Sequence, residues 1–122
     1  MMKMNESKFV REFQDNYRFL SNFWFADVKY AGALYPSVEH AYQAAKTVDR
    51  EIRKKIQFAK TPGEAKRLGK HLVLIDNWEL HKLVIMEDLV RQKFNVRFHP
   101  ELAKKLLNTG EAILQEGNYW GD

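Results

Sequence analysis

The chain has 122 residues, 45% of them hydrophobic and 30% charged, with a formal net charge of +4. This length and composition predict one globular domain, with a single core, over residues 1–122. No segment approaches the ~18 consecutive apolar residues of a membrane-spanning helix, and the N-terminus lacks the apolar segment of a secretory signal. We therefore expect neither a membrane association nor ordinary secretion, and a cytoplasmic location.

Several chemistries are excluded or left without support by the composition. The chain has no cysteine, which excludes disulfides, thiol nucleophiles and Cys-type zinc sites. Its four histidines have no partners at metal-ligand spacing, so no metal is predicted. The six glycines are scattered singly, without a Walker or Rossmann phosphate loop, and no cofactor is predicted. A net charge of +4 permits a phosphate-bearing partner but does not require one.

The first third of the chain is predicted to form short strands or loops. Residues 9–13, 17–25 and 28–30 are rich in aromatic and β-branched side chains, and turn-forming residues separate them. Pro36 and Ser37 then indicate the start of a helix over residues 38–48, which contain neither Gly nor Pro. A second helical pattern covers residues 49–60.

The remaining elements are predicted from caps and periodicity. Thr61 and Pro62 have the residue types of an N-cap and a first helical position, with Glu64 completing a capping box. Residues 71–75 are apolar and short, and form a strand or a buried connection. Asp76 is the expected N-cap of a long helix that reaches about Asn95. Its apolar stripe is predicted to comprise Leu80, Leu83, Val84, Val90 and Phe94.

Pro100 begins a last helix, which Thr109 and Gly110 end, and residues 112–116 are the expected closing strand. The predicted fold class is therefore α+β and mostly helical.

The helix that follows Ser37 has an unusual polar face. At about 100° per residue, Glu39, Tyr42, Gln43 and Lys46 fall on one side, and alanines occupy the other. In one interpretation Glu39 is placed in the first turn by the helix dipole and Lys46 is solvated. In the other, the four side chains line a pocket in which Glu39 is an acid, base or charge stabiliser and Lys46 holds an anion or acts as a nucleophile.

The motifs of the chain, taken in order, resemble the NADAR family and its YbiA-like bacterial N-glycosidases. The resemblance runs from about residue 17 to the end, and it is specific because the motifs occur together. They are the Ser-Asn-Phe of residues 21–23, the Glu-His-x-x-Gln-x-x-Lys of residues 39–46, Leu68-Gly69-Lys70, Trp78, Met86, Lys93-Phe94 and the terminal Trp-Gly-Asp of residues 120–122.

The resemblance implies a single NADAR domain, shorter at its C-terminal end than is usual in the family. It also implies a hydrolase of N-glycosidic bonds that uses no metal. Its substrate would be a small molecule carrying phosphoribose or ADP-ribose, such as a phosphoribosylated aminopyrimidine of riboflavin synthesis; nucleic acid would enter only as an ADP-ribosylated substrate. The implied catalytic residues are Glu39, Lys46 and Asp122, and the implied substrate-binding residues are Ser21, Asn22, Phe23, Tyr42, Gln43, Trp78 and Trp120.

Two other functions remain open from the sequence. The first is a module that binds ADP-ribose or a related nucleotide without hydrolysing it. The second is nucleic-acid binding. Two features disfavour it: the net charge is modest, and no basic stripe is interleaved with aromatic residues.

Overall fold

The computed structural model describes residues 17–109, which form a 3-10 helix, a two-stranded antiparallel sheet and five α-helices. The 3-10 helix spans Arg18–Leu20, and the strands are β1 (Phe25–Tyr30) and β2 (Ala33–Ser37). The helices are α1 (Val38–Ala44), α2 (Arg50–Gln57), α3 (Pro62–Gly69), α4 (Trp78–Lys93) and α5 (Pro100–Thr109). The predicted class, α+β and mostly helical, is confirmed. The strands predicted over residues 9–13 and 112–116 lie outside the described residues.

Residues 17–24 form the 3-10 helix and turns, so the strand alternative for this segment was wrong. The two strands that follow are joined by Ala31 and Gly32, both at positive φ (50° and 85°). Two consecutive residues of this conformation suit the right-handed twist of a tight hairpin. Strand β2 then runs directly into α1 at Ser37, whose hydroxyl accepts the backbone N–H of His40 as an N-cap. The hairpin therefore sets the direction in which α1 enters the core.

Helix α1 lies at the centre of the fold and packs against α2, α3, α4 and both strands. Its packing side consists of Ala41 and Ala44, continued by Ala45 after the helix, and all three are fully buried. Small side chains let neighbouring elements approach the helix closely, as the sequence predicts. The opposite side, which carries Glu39, is thereby held inside the protein.

The C-terminal end of α1 is stabilised by an arginine from the next helix. The helix ends at Ala44 rather than at residue 48, and Arg53 Nε donates to the backbone oxygens of Ala44 (3.2 Å) and Thr47 (2.7 Å). The Ala44 carbonyl is at the end of the helix and also accepts the N–H of Thr47 (3.3 Å), and Thr47 lies three residues beyond that end. The guanidinium of Arg53 also lies 5.3 Å from the ring centroid of Tyr30, so one side chain joins α1, α2 and the hairpin.

The predicted starts of α2 and α3 are confirmed, whereas that of α4 is wrong. The Asp49 carboxylate accepts two backbone N–H groups of α2, and the Thr61 hydroxyl accepts the N–H of Glu64 in α3. At α4 the N-cap is Asn77 instead of Asp76, in a left-handed conformation (φ 61°) and without a side-chain cap. Asparagine tolerates that conformation better than most residues, which permits a tight turn directly before Trp78.

Residues 71–75 form neither a strand nor a buried connection, so both alternatives were wrong. Val73 and Leu74 are exposed, and the segment is an irregular chain on the surface. Its end is held by one backbone hydrogen bond, in which Ile75 N–H donates to the carbonyl of Lys46 (2.8 Å). Leu72 is partly buried and packs against the core, while the rest of the segment follows the end of α1 on the surface.

The predicted apolar stripe of α4 is wrong for three of its five residues. Leu80, Leu83 and Val84 are 60–74% exposed. Val90 and Phe94 are partly buried and pack against the core. The side that faces the core is formed by Trp78, Met86, Leu89 and Lys93. The helix is apolar on more than one side, so the periodicity of its sequence does not show which side faces the core.

A smaller second cluster closes the fold near the first described residues. Phe19 and Leu20 pack with Ala26 of β1 and Leu102 of α5, and the Phe19 ring meets Phe94 edge to face at 6.3 Å. Among the helices of residues 17–109, none is long and apolar enough to cross a membrane.

His40 links two parts of the core through hydrogen bonds on both ring nitrogens. The side chain is fully buried; Nδ1 lies 2.7 Å from the Ser37 hydroxyl, and Nε2 lies 3.0 Å from the carbonyl oxygen of Ala59. Because a carbonyl can only accept, Nε2 carries a proton and donates. The imidazole therefore ties the start of α1 to the chain between α2 and α3.

We expect His40→Leu to lower the free energy of unfolding by about 1–3 kcal/mol, since the buried Ser37 hydroxyl loses its side-chain acceptor and the Ala59 carbonyl loses the donor Nε2. Urea unfolding measures the difference. His81→Leu on α4 is the matched control, because His81 is exposed and its replacement should change stability by less than about 0.5 kcal/mol. Equal effects of the two substitutions would contradict a structural role for His40.

Candidate functional site

The structure brings the predicted polar face of α1 together as one cluster. Glu39 and Gln43 are buried (7% and 4% exposed), and Tyr42 and Lys46 are half-buried beside them. Glu39 and Gln43 are one helical turn apart, and Gln43 Nε2 donates to Glu39 Oε2 at 2.6 Å. Burying a carboxylate lowers the stability of a protein unless the charge is paired, and a neutral amide compensates for only part of that cost. The cluster is therefore the first candidate for a functional site.

The loop of residues 21–23 lies against the N-terminal end of this helix. The backbone carbonyl of Asn22 accepts the N–H of Glu39 at 3.1 Å, so the loop satisfies a helix amide that has no partner within α1. The Asn22 amide donates to Met86 Sδ at 3.6 Å. Ser21 Oγ accepts the backbone N–H of Phe23 (3.0 Å), while the Phe23 ring is partly exposed. The three predicted loop residues thus lie next to Glu39, and Ser21 shapes the turn.

Two buried oxygen atoms at the site have no hydrogen-bond partner among the described residues. They are Asn22 Oδ1 and Gln43 Oε1. Each is the acceptor half of an amide whose nitrogen is already engaged. Buried acceptors without partners are uncommon in native proteins, and each calls for an explanation such as a functional role or a bound water molecule. The oxygen of Asn22 suits a hydroxyl or amine donor of a ligand.

Lys46 lies on the same side as Glu39 and is adjacent to other cations and rings. Burial lowers the pKa of the Lys46 amine; the Glu39 carboxylate opposes this change, and the nearby Lys66 ammonium adds to it. Lys46 Nζ is 6.0 Å from the Tyr42 ring centroid, and Lys66 Nζ is 6.0 Å from that of Phe23. The site therefore combines a carboxylate, an amine of lowered pKa and a second lysine at its edge.

Two aromatic rings, those of Tyr42 and Trp78, border the cluster. The Tyr42 and Trp78 rings are tilted by 56° with centroids 5.3 Å apart, and Trp78 is buried. Burial raises the pKa of the Tyr42 hydroxyl; Lys82 opposes the rise, and the carboxylates of Glu39 and Glu79 add to it. The phenol is therefore a hydrogen-bond donor that stays protonated over a wide pH range. Two predicted site residues, Trp120 and Asp122, lie outside the described residues.

Lys93 belongs to one of the motifs of the resemblance but was not among the predicted site residues. Its side chain is fully buried at the end of α4, and its Nζ donates to the backbone oxygen of Ser21 at 2.6 Å. Burial lowers the pKa of Lys93 to about 7. Its spacing from Met86 and Leu89, seven and four residues, was a signal that it shares their buried side. Lys93 thus anchors the loop that contacts Glu39.

The family model that matches this chain describes the NADAR domain, and the match covers residues 8–121. The chain is 37% identical over 114 residues to the N-glycosidase YbiA of Escherichia coli, covering 88% of this chain and 70% of that protein. It is 31% identical over 128 residues to a riboflavin biosynthesis protein of Vibrio vulnificus, covering 98% of this chain and 34% of that protein.

The fold is also similar to a solved structure. The NMR structure of Escherichia coli YbiA matches with a TM-score of 0.67 and 36% identity, over 79% of this chain and 57% of that one. The chain thus spans little more than half of the solved protein.

The lowered pKa of Lys93 predicts a pH-dependent stability. Between about pH 7 and pH 10.5 the unfolded chain binds a proton at this lysine that the folded protein does not, so the stability rises with pH. We expect the free energy of unfolding of the native protein to increase relative to Lys93→Met over this range, by at most about 1.4 kcal/mol per pH unit. Urea unfolding at several pH values measures this difference.

The control for that experiment is Lys55→Met on α2, which removes one exposed lysine charge. Its stability difference from the native protein should change little with pH. A difference for Lys93→Met that is equally independent of pH would contradict the assignment.

Proposed function

The chain belongs to the NADAR domain family, and on that premise we propose that it is an N-glycosidase, which hydrolyses the bond between C1 of a ribose unit and a nitrogen atom. The observation that carries the proposal is the buried Glu39 carboxylate, which Gln43 holds beside an amine and aromatic rings. Breaking a C–N glycosidic bond gives the sugar ring oxocarbenium character, and a carboxylate near C1 stabilises that charge.

Glu39 is the group that stabilises the ring and orients the attacking water. In the reaction the C1–N bond breaks, its electron pair passes to the nitrogen, and the nitrogen takes up a proton. Water supplies the hydroxyl group that bonds to C1. We assign the proton transfer to the leaving nitrogen to Asp122, on the resemblance of the terminal Trp-Gly-Asp to the family motif.

The substrate we propose is a phosphoribosylated aminopyrimidine of riboflavin synthesis, with ADP-ribose conjugates as the second class. The name of the Vibrio vulnificus relative supports the first class. The Lys66 ammonium, which is close enough to lower the pKa of the Lys46 amine, is a cation that suits a phosphate group of the substrate. The partly exposed Phe23 ring and the Tyr42–Trp78 pair suit a ring of the substrate.

Lys46 has two possible roles in this reaction, holding the phosphate or forming a covalent intermediate. In the second role, the amine adds to C1 as the C1–N bond breaks, and the nitrogen leaves with the bonding electron pair and a proton. The ring oxygen takes the second amine proton as the sugar opens, which leaves an imine between C1 and Lys46 that water then hydrolyses. That role requires a neutral amine, and the half-buried position that lowers the pKa of Lys46 supports it. We therefore propose Lys46 as the nucleophile.

Glu39→Gln should reduce kcat by at least about a hundredfold, because it removes the charge that stabilises the transition state and keeps the shape of the side chain. Mass spectrometry of released ribose 5-phosphate or ADP-ribose measures turnover of each candidate substrate. Glu87→Gln, an exposed residue of α4, is the control and should match the native protein. Near-native turnover by Glu39→Gln would rule out the mechanism. A ligand that raises the melting temperature without any product would indicate a nucleotide-binding module.

Borohydride reduction during turnover should trap a sugar adduct on Lys46, because it converts an imine into a stable amine. Peptide mass spectrometry locates the adduct. Lys46→Arg should abolish both adduct and turnover, since arginine keeps the charge but forms no imine. Lys66→Arg is the matched control and should retain both. Turnover by Lys46→Arg within about tenfold of the native protein, with no adduct, would make Lys46 an anion holder.

A further inference from the structure

Gly69, the last residue of α3, is buried against the side chain of Gln43. A Cβ atom added at Gly69 would overlap Oε1 of Gln43 and would lie 2.9 Å from its Cδ and 3.0 Å from its Cβ. Gly69 has no positive φ, so its backbone is open to any residue. Glycine is therefore required at this position because the Gln43 side chain occupies the space that a Cβ atom would need.

The amide that Gly69 accommodates is the one that holds Glu39. A carboxylate accepts hydrogen bonds and cannot donate them, so the Gln43 NH₂ group faces Glu39 and its oxygen faces Gly69. The amide is confined on both sides, by the carboxylate on one and by the backbone of α3 on the other. Moving it away from Gly69 would change the hydrogen bond to Glu39.

This confinement fixes the orientation of the Glu39 carboxylate. Gln43 donates to Glu39 Oε2 at 2.6 Å, and the rotation of the carboxylate that this bond sets also sets the direction of Oε1. Reaction rates depend strongly on the position of a reacting group, and a displacement of about 1 Å can cost about a hundredfold. The hydrogen bond from Gln43 to Oε2 thus also fixes the position of Oε1 of Glu39.

We propose that Gly69 is a positioning residue for the hydrolysis, which acts through Gln43 to fix the orientation of the Glu39 carboxylate. The proposal rests on the function proposed above. Gly69 itself touches no reacting atom; it provides the space in which the Gln43 amide can reach Glu39.

The experiment compares two alanine substitutions in the same helix. Gly69→Ala introduces the overlap with Gln43, whereas the Cβ of Gly63→Ala meets its nearest atoms at an ordinary 3.9 Å. Both changes exchange glycine for alanine in α3. We expect Gly69→Ala to lower kcat about ten- to hundredfold with KM within about twofold, because a hydrogen bond to a charged group is lost. Gly63→Ala should behave as the native protein does.

A double variant tests whether the effect passes through Gln43. Gln43→Ala should lower kcat as Gly69→Ala does, and combining the two should lower it no further, as expected of residues that act in series. In the double variant the Cβ atoms of residues 43 and 69 still lie 3.0 Å apart, and a shift of a few tenths of an ångström relieves this contact. Should Gly69→Ala alone fail to fold, the double variant should restore folding. Additive losses in kcat, or no recovery of folding, would overturn the proposal.

The side-chain NH₂ resonances of Gln43 give a readout that does not depend on activity. They are identified in a ¹⁵N–¹H NMR spectrum by their loss in Gln43→Ala. We expect them to shift in Gly69→Ala and to stay in place in Gly63→Ala. Unmoved resonances together with native kcat would overturn the inference. Shifted resonances in a protein that hydrolyses none of the substrates would leave the positioning intact and reject the proposed function.

Discussion

The close packing of α1 against its neighbours is the constraint on which the site depends. Ala41, Ala44 and Ala45 have no side-chain atoms beyond Cβ, and they allow three helices and two strands to surround one short helix. A helix surrounded in this way has no fully solvated side. Its polar residues are therefore buried as well, and Glu39 and Gln43 must satisfy one another. The buried carboxylate is thus a consequence of how the core is built.

Features determined by local chemistry could be predicted from the sequence. The caps at Ser37, Asp49 and Thr61 are formed by side chains that bond to backbone groups two or three residues away, so neighbouring residues contain all the information. The polar face of α1 was predictable for the same reason, because helical periodicity places Glu39 and Gln43 together. The resemblance added the loop of residues 21–23, whose contact with α1 periodicity cannot indicate.

Features determined by distant contacts could not be predicted. The rotation of α4 depends on Trp78 meeting Tyr42 at one end and on Lys93 reaching the Ser21 carbonyl at the other. Both contacts join segments separated by more than 30 positions along the chain. The core-facing side of α4 also includes Lys93. Because lysine is rarely buried, the sequence did not indicate that Trp78, Met86 and Leu89 form one side with it. The space that Gly69 leaves for Gln43 depends in the same way on two helices meeting.

Both ends of α1 are held by groups from elsewhere in the chain, the Asn22 carbonyl at its start and Arg53 at its end. A helix of seven residues has too few internal hydrogen bonds to persist in water alone. It forms only when the loop before it and the helix after it are in place. The carboxylate and the amine consequently come together in the same cooperative step that forms the core. A partly folded chain has no site, and loss of the site on heating should coincide with global unfolding.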